Sequence, residues 1–270
     1  MAVVSAIVVT RNRLRHLRQC LEAIARQDAD VPLQVCVVND GGAPIAEVMQ
    51  SFAARHPHLE VVWRDLAHQG QVRARAAAIA LARGDYLAFC DDDDRWLPGH
   101  VHALLAAVNS PGAAGLAFTD AELVFARVAG DRVDVVRRVP FAWCCPDRLL
   151  RFYNPVVPSS LLIARTLYER TGGLDPAVGH YWDWDLVLSA ARHAPLRRVA
   201  ACYTLYLVDI AGESASSVPE RMRPDLMRLI AKHGLGNLPS SNFARMADDP
   251  VLAPHRAQTR LVWDGAPDIW

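Results

Sequence analysis

The chain carries no excess charge of either sign, since Lys plus Arg and Asp plus Glu both total 29. A globally basic surface of the kind that attracts nucleic acid is therefore absent, and any phosphate contact must be local. No uncharged apolar run is long enough to span a bilayer, which argues against a transmembrane segment. Cysteine is sparse and scattered: Cys20, Cys36, Cys90, Cys144, Cys145 and Cys202 form no C-x-x-C pair, and the adjacent two are badly placed to bridge each other. A reduced, cytoplasmic protein, peripheral at the membrane face at most, is the expectation. His56 and His58, like His100 and His102, lack a cysteine partner at zinc-site spacing and read as exposed or capping residues. The opening residues 1–9 lack a basic leader and a cleavage site and read as a strand. Internal repeats and low-complexity linkers are also missing.

What is present is enough apolar sequence for a full core. With 270 residues, 52% of them hydrophobic, the chain can form one large domain plus a small appendage. The first hundred residues alternate regularly. Residues 3–9 are a β-branched run suited to a strand buried on both faces, and Leu14, Leu17, Leu21 and Ile24 then recur at helical spacing. A second strand at 33–38 ends in the turn signal Asn39-Asp40-Gly41-Gly42, followed by a helix at 45–54. A third strand at 59–63 precedes an alanine-rich helix at 72–82 that stops by Gly84, and residues 85–90 supply a fourth strand. Strands alternating with helices predict an α/β fold, a mostly parallel sheet with helices on both faces. Such sheets bind ligands at the carboxyl ends of their strands. Thr10-Arg11-Asn12-Arg13, Asn39-Asp40-Gly41-Gly42 and Asp91-Asp92-Asp93-Asp94 all follow strands, so they should meet at one edge.

The four aspartates are the densest chemical signal. Carboxylates this close repel unless a cation is near, and hard ions such as Mg²⁺ or Mn²⁺ take oxygen ligands and share them with substrate phosphates. A solvated acidic turn is the plainer reading of such a run taken alone. A calcium loop of the EF-hand type needs Gly at its sixth position and Glu at its twelfth, where this run has Trp96 and His102. An aspartyl-phosphate enzyme also places acids at a strand end.

The motifs together resemble the family 2 glycosyltransferases of the A-type nucleotide-sugar fold. The likeness rests on the residue 4–13 strand and turn, Val37-Val38-Asn39-Asp40-Gly41, Gly84-Asp85-Tyr86, and the aspartates followed by Trp96-Leu97-Pro98. It continues through Pro158-Ser159-Ser160, Thr171-Gly172-Gly173-Leu174-Asp175 and Trp182-Asp183-Trp184-Asp185, in order over about the first 215 residues. The resemblance implies a single Rossmann-like domain at 1–217, its nucleotide-sugar half at 1–100 and acceptor half at 101–217, with a C-terminal helical extension at 218–270. It implies a metal-dependent, inverting transferase that moves a sugar from a nucleoside diphosphate donor, UDP-linked, to a saccharide, lipid-linked or other hydroxyl acceptor in cell-surface polysaccharide or glycoconjugate synthesis.

Roles follow by the same resemblance. The D-x-D element falls on Asp91 and Asp93, with Asp93 the direct metal ligand and Asp91 or Asp92 nearer the ribose, while Asp94 orients its neighbours or faces solvent. Asp40 would accept the imino hydrogen of the base, Thr10 and Asn12 would line the nucleoside pocket, and Arg75 would lie beside base or diphosphate. Arg73 and Arg75 are two apart on a helix, so at most one reaches the ligand. An inverting transfer needs a carboxylate to take the acceptor proton. Asp183 is the favoured base and Asp185 its competitor, one facing the acceptor while the other caps or braces the helix. Asp209 stands where the family often has a metal-contacting His, with Ser214, Ser216 and Ser217 following; a surface loop Asp is the alternative.

The chain departs from the family pattern at Trp182, where the leading Glu is usual, and at Ala76, where an Asn is common. Phe141, Trp143, Phe152, Tyr153, Trp182 and Trp184 offer rings that could stack on a sugar, or fill the core. Arg137 and Arg138 could meet an acceptor phosphate, or be solvated. Residues 219–233 read as an amphipathic helix, and Trp263 and Trp270 imply a tail that folds back or packs in a homodimer. The rival functions are a nucleotidyltransferase, which would be expected to show an early Gly-rich loop that Thr10-Arg11-Asn12-Arg13 does not supply, and a non-catalytic nucleotide-sugar binder.

Overall fold

The computed structural model describes residues 3–27, 30–129, 132–212, 218–266 and 269–270. Its centre is the alternating pattern of the first ninety residues. Strand β1 (Val4–Thr10) is followed by helix α1 (Leu14–Ala25), β2 (Leu33–Asp40) by α2 (Ala46–Arg55), β3 (Glu60–Leu66) by α3 (Gln71–Leu81), and then comes β4 (Tyr86–Asp91). β1 lies between β2 and β4, and all these pairings are parallel. The period of two along each strand sends alternate side chains to opposite helical layers. Val4, Ala6 and Val8 pack with α1 and α2, whereas Ile7 packs with α3; Ala88 and Cys90 divide from Leu87 and Phe89 in the same way. Both faces are covered, which is why these strands read as continuous apolar runs.

Register places the polar strand ends together. Thr10 is opposite Asn39, and Val9 is opposite Asp91. The loops are tied at this edge by Asn39, whose Nδ2 donates to Asp65 Oδ1 at 2.7 Å.

The second half extends the sheet with strands less legible in sequence. After β5 (Arg95–Trp96) and α4 (His100–Val108) come β6 (Leu116–Ala129) and β7 (Arg132–Phe141), an antiparallel pair. A short helix α5 (Pro146–Leu149) leads to β8 (Leu161–Ala164), which runs antiparallel between β4 and β6. Helices α6 (Arg165–Arg170) and α7 (Trp182–Ala191) follow, then β9 (Arg197–Asp209), parallel to β6. The expectation of a mostly parallel sheet holds, with antiparallel pairings at β5, β7 and β8.

The C-terminal segment is less purely helical than expected. It contains α8 (Arg223–His233), α9 (Phe243–Asp248) and a last strand, β10 (Arg260–Leu261), which joins the sheet edge beside β9. The tail folds back on its own chain: Trp263 is buried with Val124 and Leu205, and Arg138 stacks 4.3 Å over its ring. The tail tryptophan therefore needs no second copy to cover it. No described helix is long and apolar enough to cross a membrane.

Candidate active site

The convergent strand ends open into a cavity of ≈540 Å³, within the range of small-molecule sites. Its floor holds Thr10, Asp40, Arg75 and the aspartates 91, 92 and 93, and Asp183 lies on the same wall system.

The aspartate run separates because a turn after β4 sends successive side chains different ways. Asp94 points inward and is fully buried. Its Oδ2 accepts from Ser159 Oγ–H and its Oδ1 from the Leu207 N–H at 3.2 Å, so it ties the turn to β9 and does not face solvent. Asp92 is also buried, accepting from Thr10 Oγ1 at 2.7 Å and Arg13 at 3.1 Å. Burial, reinforced by the charge of Asp93, pushes its carboxyl up to about 7. Asp91 and Asp93 present the more open side chains to the cavity, 30% and 29% exposed. Each has one oxygen taken, by Arg75 at 2.5 Å and by Arg13 at 2.7 Å, and one without a described partner.

Those free oxygens fit a hard divalent ion. Among the described residues no group of three or more His, Cys, Asp or Glu is placed to hold a metal, so the protein would supply two carboxylates and a ligand phosphate the rest. Asp209 does not line this cavity; its Oδ1 accepts from the Ala211 N–H at 3.0 Å in a turn. The Ser214, Ser216 and Ser217 motif lies outside the described residues.

Asp40 is buried and clamps the loop before α3, accepting from the N–H groups of Gln69 at 2.8 Å and Gly70 at 3.0 Å. His68 Nδ1 lies 2.9 Å from Oδ2, the oxygen that Gly70 also uses. Asn12 is exposed with φ +56°, and its Oδ1 accepts from the Ala43 N–H at 3.2 Å. It does not line the cavity. Arg75 is buried, not solvent-facing, its guanidinium 3.9 Å over Trp182.

Asp183 and Asp185 leave the first turn of α7 in different directions. Asp185 reaches α8, with its oxygens 2.6 Å from His233 Nε2 and 2.9 Å from Lys232 Nζ. Asp183 faces the cavity and accepts from Asn154 Nδ2 at 2.8 Å. Asn154 is itself oriented, because its Oδ1 accepts from the Val156 N–H at 3.1 Å. Burial, with a smaller push from the charge of Asp91, raises the Asp183 carboxyl to about 7. A carboxylate near neutrality is matched to proton abstraction at physiological pH.

Comparison with known proteins agrees with this geometry. Residues 5–122 match the family model Glycosyl transferase family 2. The uncharacterized glycosyltransferase YwdF of Bacillus subtilis (strain 168) is 34% identical over 267 residues, covering 98% of this chain and 96% of the relative. The chain belongs to the family 2 glycosyltransferases. Solved structures share the transferase's fold. S. aureus TarS 1-349 in complex with UDP-GlcNAc aligns with a TM-score of 0.61 at 19% identity, over 90% of this chain and 69% of that one. The mannosyltransferase PcManGT from Pyrobaculum calidifontis, in complex with GDP-Man and Mn2+, gives 0.61 at 18% identity, over 92% and 67%.

Several residues that line or brace this cavity escaped sequence reasoning. Arg13, bridging Asp92 and Asp93, was legible only as part of a polar turn. Ser159 belongs to the Pro158-Ser159-Ser160 motif, but its link between the Asp91 N–H, 2.9 Å away, and Asp94 needs the fold. Asn154 followed two aromatics read as either sugar-stacking rings or core. Arg137 and Arg138 are engaged internally, by Asp248 and Glu122.

Proposed function

We propose that this chain is a metal-dependent, inverting glycosyltransferase that uses a nucleoside diphosphate sugar, UDP-linked, and a hydroxyl acceptor. The carrying observation is that Asp183, held by Asn154 and raised to about 7, lines the same cavity as the free oxygens of Asp91 and Asp93. In this reading the nucleoside lies toward Thr10 and Asp40, and the diphosphate toward the aspartates. Asp91 and Asp93 would hold Mn²⁺ or Mg²⁺, which when bound offsets the charge of the departing diphosphate without a proton.

The chain's own groups account for the rest. Asp183 takes the proton of the acceptor hydroxyl as that oxygen bonds to the anomeric carbon. The bond from that carbon to the diphosphate oxygen breaks, and the nucleoside diphosphate leaves from the opposite face. Arg13 and Arg75 fix the orientation of the aspartates through charge-assisted hydrogen bonds. At position 182, where the family usually has an acid, the Trp182 ring packs against the Arg75 guanidinium.

A hydrolysis screen of nucleotide sugars with Mn²⁺, run on the wild type and on Asp183→Asn, tests the assignment. Release of nucleoside diphosphate by the wild type, with the variant still binding UDP but failing to transfer, is expected. Full transfer by Asp183→Asn, or pyrophosphate formation from a nucleoside triphosphate, would overturn it.

A further inference from the structure

A second cavity of ≈480 Å³ adjoins the first. Tyr153, Pro239 and Ser241 line both, so the two spaces meet along one wall. The reaction described above uses the larger cavity for the donor and the attacked hydroxyl and leaves the smaller one without a role. Its size lies within the roughly 300–1,000 Å³ typical of small-molecule sites, far more than a lone hydroxyl requires.

The chemistry of its walls is selective. Tyr153 offers a half-buried ring, Ser240 and Ser241 offer hydroxyls, and Asp248 and Asp249 offer carboxylate oxygens. Rings that stack on C–H faces, beside acceptors for hydroxyl groups, suit a pyranose. The lining cation, Arg245, is engaged by Glu220 at 2.7 Å. Arg137 spans both oxygens of Asp248, at 2.9 and 2.8 Å. Asp249 uses one oxygen to accept from the Val251 N–H at 2.9 Å and keeps the other. A phosphate or uronate entering here would meet the carboxylate of Asp249 and find Arg245 already paired.

Resting on the transferase reading, we propose that this cavity is an acceptor subsite for a neutral oligosaccharide of two or more rings. The terminal ring places its hydroxyl at Asp183, and the preceding rings cross Tyr153 into the second cavity. The wall comes from residues 239–249, so the C-terminal segment completes the acceptor site.

The test uses the full chain with UDP and Mn²⁺ on an array of neutral mono- to tetrasaccharides and their uronate and phosphate counterparts. Retention on neutral glycans of two or more rings, at least tenfold above the matching monosaccharides, is expected. Ala244→Trp, which fills the cavity from α9, should reduce that retention at least tenfold; if it does not fold by circular dichroism, Ser240→Trp replaces it. Retention of charged glycans only, equal retention of single rings, or retention of none overturns the subsite. Nucleotide-sugar cleavage without ring-number preference removes the subsite alone. Oligosaccharide retention with no nucleotide-sugar cleavage leaves the binding site standing and removes the transferase reading.

Discussion

The Arg75 guanidinium lies 3.9 Å over the Trp182 ring while its NH2 sits 2.5 Å from Asp91 Oδ1. Seated over the ring, the guanidinium delivers one N–H to a cavity carboxylate, a geometry a lysine cannot reproduce. Arg75→Lys is therefore expected to raise the donor KM about tenfold, the loss of one charge-assisted hydrogen bond. Steady-state nucleotide-sugar hydrolysis measures this, and an unchanged KM would remove Arg75 from the donor side.

Asp93 and Asp94 are neighbours with opposite duties. Asp93→Ala should abolish metal-stimulated cleavage while leaving the melting temperature unchanged or higher, since the charge of Asp93 works against the buried Asp92. Asp94→Ala strands Ser159 and the Leu207 N–H, at a cost of roughly 2–3 kcal/mol, and should lower the melting temperature by about 5–10 °C. Differential scanning fluorimetry beside a Mn²⁺ titration separates them; equal melting losses would contradict the division.

The first hundred residues were legible because both of their signals are local. Strands buried on both faces force long β-branched runs, and the helices between them show their spacing within a dozen residues. The polar strand ends could be placed by the parallel-sheet rule alone, which brought Thr10, Asp40 and the aspartates to one edge. The later residues were less legible because their contacts are distant in sequence. Nothing near Asp183 announces Asn154, 29 residues earlier, and nothing near Asp94 announces Leu207, 113 residues later. Asn12 and Asp209 were assigned by family position, yet Asn12 accepts from Ala43, 31 residues later, and Asp209 from Ala211 in a local turn.

Asp185 tests the distinction between bracing and chemistry. It is buried against His233, with the exposed Lys232 reaching its other oxygen, so Asp185→Ala breaks the α7–α8 tie and leaves those groups without their carboxylate. Losing one partner of such a buried pair costs roughly 3–5 kcal/mol. Its melting temperature should fall, while turnover of the folded fraction stays within about tenfold, a retention expected from a brace and not from a general base. Loss of turnover matching that of Asp183→Asn, measured on protein shown to be folded, would reassign the base.

The raised carboxyl of Asp183 makes activity and stability run in opposite directions with pH. As a base it must be ionised, so kcat/KM should rise tenfold per pH unit below about 7 and level above it. Stability follows the opposite sign. The folded-state value stands above the ordinary 3.8, so the folded chain holds this proton more tightly than the unfolded chain does. The contribution of the protonated form is full below the unfolded value and is lost as pH rises through about 7. Asp183→Asn, permanently neutral, should then melt several degrees above the wild type at pH 8, with the gap narrowing toward pH 4. Melting curves of the two proteins across that range, without metal or nucleotide, check the linkage; a gap that does not change with pH would show that Asp183 titrates normally and would remove the physical basis for its role as the base.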